Sequence, residues 1–242
     1  MAVDRLFVVG ASTGGVAALM RLVSSLPDEF VAPMLIVQHI GAHPSILPQL
    51  LANASGRDVA HASAGERIEP RKTRVAPPDC HMMVVDGTIR LTRGPKENCA
   101  RPAIDPLFRS AALTHGTRVV GVVLTGQLDD GTVGLQEIKR HGGVAVVQDP
   151  RDALEPSMPA SAIEYTDVDH VQAALTSTSN QAGWSALRAL QERSMLLHQM
   201  AGLERGAGRA SEARRLDSNA KHLERQIDVL SRLLEDGPEP VE

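Results

Sequence analysis

Ser12 lies in Gly10-Ala11-Ser12-Thr13-Gly14-Gly15, directly after the apolar run Leu6-Phe7-Val8-Val9 and before an amphipathic stretch. This is the G-x-S-x-G pattern, in which glycines relieve crowding where a buried strand turns sharply into a helix and leave the serine hydroxyl exposed above the sheet. Ser12 is therefore a candidate nucleophile. The same residues suit a phosphate cradle at a helix N-terminus, as in dinucleotide-binding folds, and the motif alone does not separate the two. The next apolar run discriminates. A dinucleotide site wants an acid at the end of that strand to hold the ribose, whereas this one ends Val37-Gln38-His39. An imidazole at a strand's carboxyl end, beside the crevice where open α/β sheets place their ligands, suits a general base for Ser12.

Two other readings of His39 compete: a hydrogen-bonded histidine lining the crevice, and a metal pair with His43. Pro44 after His43 and the lack of a nearby carboxylate weigh against the metal. A nucleophile and base also call for a carboxylate to fix the imidazole tautomer. Leu124-Thr125-Gly126-Gln127-Leu128-Asp129-Asp130-Gly131 closes another apolar run and offers two acids, either of which could instead be a helix cap. Residue chemistry alone leaves Asp129 and Asp130 equivalent.

The elements that must position these groups alternate along the chain. Short β-branched runs occur at Arg5 to Gly10, Met34 to Val37, Val119 to Leu124 and Val144 to Val147. Helix-length amphipathic stretches fall between them at Val16 to Ser25, Ile46 to Ala54, Ile104 to His115 and Val133 to His141. Continuous apolar strands separated by helices predict an α/β fold, a doubly wound and mostly parallel sheet with helices on both faces. Asp86-Gly87, between Met82 to Val85 and Thr88 to Leu91, predicts one antiparallel hairpin. From about Thr176 a Ser/Thr/Asn cluster gives way to Ala, Leu, Arg and Glu, with stripes at Trp184, Leu187, Leu190, Leu197 and Met200 and at Leu216, Ala220, Leu223, Ile227, Leu230 and Leu234. We expect a catalytic domain over 1–175, then over 176–242 a linker and a C-terminal helical hairpin whose stripes pack together, with Gly237 to Pro240 a frayed end.

Composition narrows the function classes. The 242 residues carry a net charge of -4 with only 2% aromatics, which argues against nucleic acid as a partner because both phosphate neutralisation and base stacking lack their means. No apolar run approaches the roughly 20 residues of a membrane span. The first strand begins too early for a secretory leader, and a cytoplasmic location is expected. Cys80 and Cys99 have no metal-ligand spacing and are expected to be plain thiols.

Taken together, the sequence resembles the catalytic domain of the chemotaxis protein-glutamate methylesterases, the CheB family, over roughly Arg5 to Val171. The likeness rests on the Ser12 motif, Gln38-His39, Ala76-Pro77-Pro78 leading to His81-Met82, Arg101-Pro102 followed by Asp105, Leu124-Thr125-Gly126 with Asp130-Gly131, and Met158-Pro159. The resemblance implies a Ser12, His39, Asp130 triad that hydrolyses glutamate methyl esters on methylated chemoreceptors, with some glutamine deamidation and no cofactor. It also implies oxyanion donors near Thr13 and Gln127 and a crevice lined by Arg101 and His81. The chain order Ser, His, Asp differs from the Ser, Asp, His order of α/β-hydrolases. Many family members have Gly-Met-Gly-Asn-Asp-Gly where this chain has Gly126 to Gly131, and the usual receiver domain is not expected ahead of Arg5. The helical tail is not part of the usual enzyme, and is read as a contact for self-association or for a signalling partner. A non-catalytic adaptor that recognises a receptor helix is the alternative, and a nucleotide-binding domain is the third reading.

Overall fold

The computed structural model describes residues 5–42, 44–172, 194, 197–206 and 209–235, excluding the side chains of 222, 223 and 225–235. The chain divides into two compact units, Met1–Leu175 and Thr176–Glu242.

The first unit is built on a seven-stranded parallel sheet: β1 (Leu6–Ala11), β2 (Met34–Gln38), β3 (Asp58–His61), β4 (Lys72–Val75), β7 (Val119–Val123), β8 (Val144–Gln148) and β9 (His170–Gln172), in the order β3-β4-β2-β1-β7-β8-β9. Every residue of β2 and β7 is buried, because helices cover both faces of the sheet and leave these strands no polar side. Alternate side chains feed two cores. Val9, Met34, Ile36 and Val122 pack with α1 (Gly15–Ser24) and α2 (Leu47–Ser55), while Val8, Leu35, Val123 and Val147 pack with α3 (Ile104–His115), α4 (Thr132–Arg140) and α5 (Ser157–Tyr165). β5 (His81–Val85) and β6 (Thr88–Thr92) form the antiparallel hairpin, turning through Asp86 and Gly87 at φ 48° and 72°, as the two-residue turn requires.

From β1 the chain winds outward through β2, then returns at β7 to pair with the other side of β1. The order reverses there, so the loops leaving β1 and β7 diverge and open a crevice at the strands' carboxyl ends, the usual ligand position in such sheets.

In the second unit, a helical stretch over 197–206 and α6 (Ala210–Glu235) form the expected hairpin. Leu216 and Ala220 of the expected second stripe are buried in its seam with Ala201, Ala213 and Ser194, whereas Met200 of the first stripe is 50% exposed. Small residues bring the helices together, and Arg205 with Asp217 and His198 with Glu224 pair across them. Trp184, Leu187, Leu190, the Thr176 linker, the Gly237 to Pro240 end and the side chains of Leu223, Ile227, Leu230 and Leu234 lie outside the described residues. No helix among the described residues is long and apolar enough to cross a membrane.

Candidate active site

Ser12 follows β1 at the switch point. Its N–H donates to Thr125 O at 2.9 Å, its carbonyl accepts from Gly15 N and from Gln38 Nε2, both at 2.8 Å, and the turn is thereby fixed on both sides. Gly15 has to be glycine: a Cβ there would lie 2.0 Å from Gln38 Oε1 and 2.7 Å from Ala11 Cβ. His39 follows β2, the parallel neighbour of β1, with its own N–H bonded to Ala11 O. Adjacent parallel strands ending at the same edge bring His39 Nδ1 to 3.1 Å from Ser12 Oγ. His39 Nε2 lies 2.7 Å from Asp130 Oδ2. An ionised carboxylate can only accept, so Nε2 carries the proton and Nδ1 offers its lone pair to the serine hydroxyl.

The two candidate acids separate at once. Asp129 is exposed, whereas Asp130 is 2% exposed and accepts from Ile104 N at 2.7 Å, Asp105 N at 3.1 Å and Asn98 Nδ2 at 2.7 Å as well as from His39. Burial works to raise its pKa, but the hydrogen bonds from His39 and from the first turn of α3 outweigh it and hold Asp130 below the ordinary carboxylate value. Asp105, 3% exposed, accepts from Gly131 N and Gly134 N at the start of α4 and from Asn98 Nδ2. Burial and the neighbouring charge of Asp130 push Asp105 upward against those bonds. Of two adjacent buried carboxyls, the one beside the imidazole thus ionises first.

Ser12, Thr13, His39, Gln127, Leu128 and Asp130 line a crevice of about 330 Å³. The backbone N–H groups of Thr13 and Gln127 bond to no described residue, so two donors on different loops are left over in the crevice that Ser12 lines. A larger groove of about 530 Å³ lies beside α1 against Val120, Val122 and Val146, but no histidine or carboxylate lines it.

Residues 7–178, well over half the chain, match the sequence model of the family described as CheB methylesterase. The chain belongs to the CheB methylesterase family. It is a hydrolase of that family, and its relatives agree. A Leptospira interrogans protein is 40% identical over 166 residues, which are 68% of this chain and 86% of that one. The Pyrococcus horikoshii protein-glutamate methylesterase/protein-glutamine glutaminase is 38% identical over 168 residues, 67% of this chain but only 46% of the relative. The chain thus spans about half the length of that relative. Its fold is similar to the crystal structure of the Thermotoga maritima CheB methylesterase catalytic domain, with a TM-score of 0.68 and 31% identity over 74% of this chain and 98% of that one.

The remaining residues of the CheB-like motif set fall in two places. Arg101 lines the crevice, but its Nε and one terminal nitrogen bond to Asp79 Oδ1 and the other bonds to Gly94 O, so most of its donors hold the rim together. His81 does not line the crevice: it is buried, its Nε2 donates to Pro95 O at 2.9 Å, and its Nδ1 accepts from Ala103 N at 3.2 Å. It anchors the 95–103 loop, a structural duty that its place in a motif could not reveal. That loop carries Asn98, which sequence reasoning did not single out. His43 lies outside the described residues.

Proposed function

We propose that this chain hydrolyses the methyl esters of glutamate side chains on a methylated sensory protein, a chemoreceptor by the family's precedent, with glutamine side-chain amides as a slower substrate. The observation that carries the proposal is the continuous Ser12, His39, Asp130 hydrogen-bond chain at 3.1 and 2.7 Å beside two backbone N–H groups that bond to no described residue. Ser12 Oγ attacks the ester carbonyl carbon as His39 Nδ1 takes its proton. The negative charge on the carbonyl oxygen is met by the N–H groups of Thr13 and Gln127. Collapse breaks the carbon–oxygen bond to the methoxy group, which leaves as methanol with the proton from Nδ1. A water then enters, loses a proton to Nδ1, and releases the free carboxylate from Ser12, whose hydroxyl recovers that proton. Asp130, held ionised, balances the imidazolium in both steps.

The helical tail is proposed to supply the contact for self-association or for a signalling partner; Met200 and Leu203, 50% and 73% exposed, offer it an apolar face. The test of the activity is methanol release from a methylated receptor fragment. Wild-type turnover that falls by several powers of ten in Ser12→Ala is the expected result, since loss of the nucleophile leaves only the oxyanion donors and binding. Equal release by the two proteins would sink the proposal.

A further inference from the structure

Leu128 stands at the crevice mouth in a conformation that its side chain disfavours. Its φ is 66°, in the left-handed region where a Cβ crowds the backbone, and a glycine would hold that turn without strain. The neighbouring loop enforces the conformation. Leu128 N donates to Ser157 Oγ at 3.1 Å, Ser157 Oγ donates to Gly126 O at 3.2 Å, and Gly126 N donates to Glu155 O at 3.0 Å. The side chain gains no core contact in return: it is 66% exposed and lines the crevice next to Gln127, whose backbone N–H bonds to no described residue. A strained backbone around an exposed apolar side chain beside the reacting centre has no account in folding stability, and such outliers persist where a site uses them. We infer that Leu128 is a specificity-determining residue, an apolar contact for the side chain adjacent to the ester-bearing glutamate in the bound polypeptide.

The inference rests on the methylesterase reading and deepens it. Contact with an apolar neighbour removes water from both surfaces, whereas a hydroxyl there would lose its hydration against Leu128 with nothing in exchange. The enzyme should therefore prefer esters flanked by aliphatic residues over esters flanked by small polar ones.

The test uses the full chain and two synthetic peptides, each with one γ-methyl glutamate, flanked by leucines in one and by serines in the other. The expected ratio of kcat/KM favours the leucine peptide and falls about tenfold in Leu128→Ala, the change residing in KM, because removing one aliphatic contact is worth roughly that factor. Leu128→Met, which restores an aliphatic chain of similar reach, keeps the ratio. Leu128→Gly, whose backbone accepts the left-handed turn, loses the ratio without a lower melting temperature, so a collapse of the fold cannot mimic the result. Serine-dependent hydrolysis with the same ratio in wild type and Leu128→Ala would overturn the inference alone. Absence of hydrolysis of both peptides by the wild type, or hydrolysis that survives Ser12→Ala, would overturn the underlying reading and the inference with it.

Discussion

Asp105 and Asp130 exchange helix caps. Asp130, just ahead of α4, accepts from the first two N–H groups of α3, and Asp105, in the first turn of α3, accepts from Gly131 and Gly134 at the start of α4. Each acid thus faces the positive end of the other's helix, and the two helices lock together at the carboxylate that meets His39. Asn98 Nδ2 closes the arrangement by donating to both, at 2.8 and 2.7 Å.

The exchange makes the pH dependence of stability two-signed. Asp130 is depressed below its ordinary 3.8, so its stabilisation is present above about that pH and is lost as pH falls through the lower folded value. Asp105 is raised above 3.8, so its contribution is complete below that pH and is lost as pH rises through the higher folded value. Urea unfolding across the acid range should show the wild-type advantage over Asp130→Asn shrinking as pH drops, and the advantage over Asp105→Asn shrinking as pH climbs. Both trends reversed, with the advantage over Asp130→Asn shrinking as pH climbs and that over Asp105→Asn shrinking as pH drops, would mean that the pair's proton resides on the other acid.

Asp130→Asn should cost both turnover and stability. Four N–H donors converge on the two carboxylate oxygens of Asp130, and an amide replaces one oxygen with a further donor. Whichever way the amide turns, two donors face an N–H₂ group, at about 1–3 kcal/mol for each group left unpaired. If the amide nitrogen faces His39, the ring flips its proton to Nδ1 and loses its basicity toward Ser12, a defect on the order of 10⁴ in kcat. Steady-state kinetics with a melting curve on the same sample would separate the two losses.

Asn98→Ala tests the bridge from outside the Ser12, His39, Asp130 chain of hydrogen bonds. The substitution leaves one oxygen of each buried acid short of a donor, for which a destabilisation of about 1–3 kcal/mol is expected. Because Asp130 would then be less firmly held, kcat should fall by roughly tenfold while KM changes little, since Asn98 spends its amide on the acids. Unchanged stability would show that water replaces the amide without cost.

Parts of this arrangement were legible in the sequence, and the reasons for the rest are physical. The central strands β1, β2, β7 and β8 announce themselves because burial on both faces forces continuous apolar runs. The sheet's outer strands do not: β3 is Asp58-Val59-Ala60-His61, β4 is Lys72-Thr73-Arg74-Val75 and β9 is His170-Val171-Gln172, too short and too polar for periodicity to register. β4 in particular hides Arg74, 8% exposed, by pairing it with Glu66 and Asp58. Likewise Ser12 and His39 stood out as a motif and a strand end, but the distinction between Asp129 and Asp130 depends on which carboxyl meets α3, more than twenty residues away. Asn98 is an ordinary polar residue until the fold brings it to Asp130, and Asp105, a part of the family likeness, shows its bonds to the start of α4 only in the folded chain.

Gly15 offers the most direct test of how the turn that carries Ser12 is built. An added Cβ would strike Gln38 Oε1 at 2.0 Å and Ala11 Cβ at 2.7 Å; the first is the end of a buried side chain, the second is fixed to β1. To make room, Gln38 must withdraw the Nε2 that holds Ser12 O at 2.8 Å, and α1 must move off the sheet. Gly15→Ala should therefore lose about 1–3 kcal/mol through overpacking. It should also lose on the order of 100-fold in kcat, because a nucleophile displaced by about 1 Å loses that much. Gly94→Ala is the control, since a Cβ there meets nothing nearer than 3.8 Å. In a Gln38→Ala background the stability penalty should be smaller than in wild type, as the nearest atom is gone. A penalty of the same size in both backgrounds would place the conflict at Ala11 alone, and Gln38 would then have no part in seating Ser12.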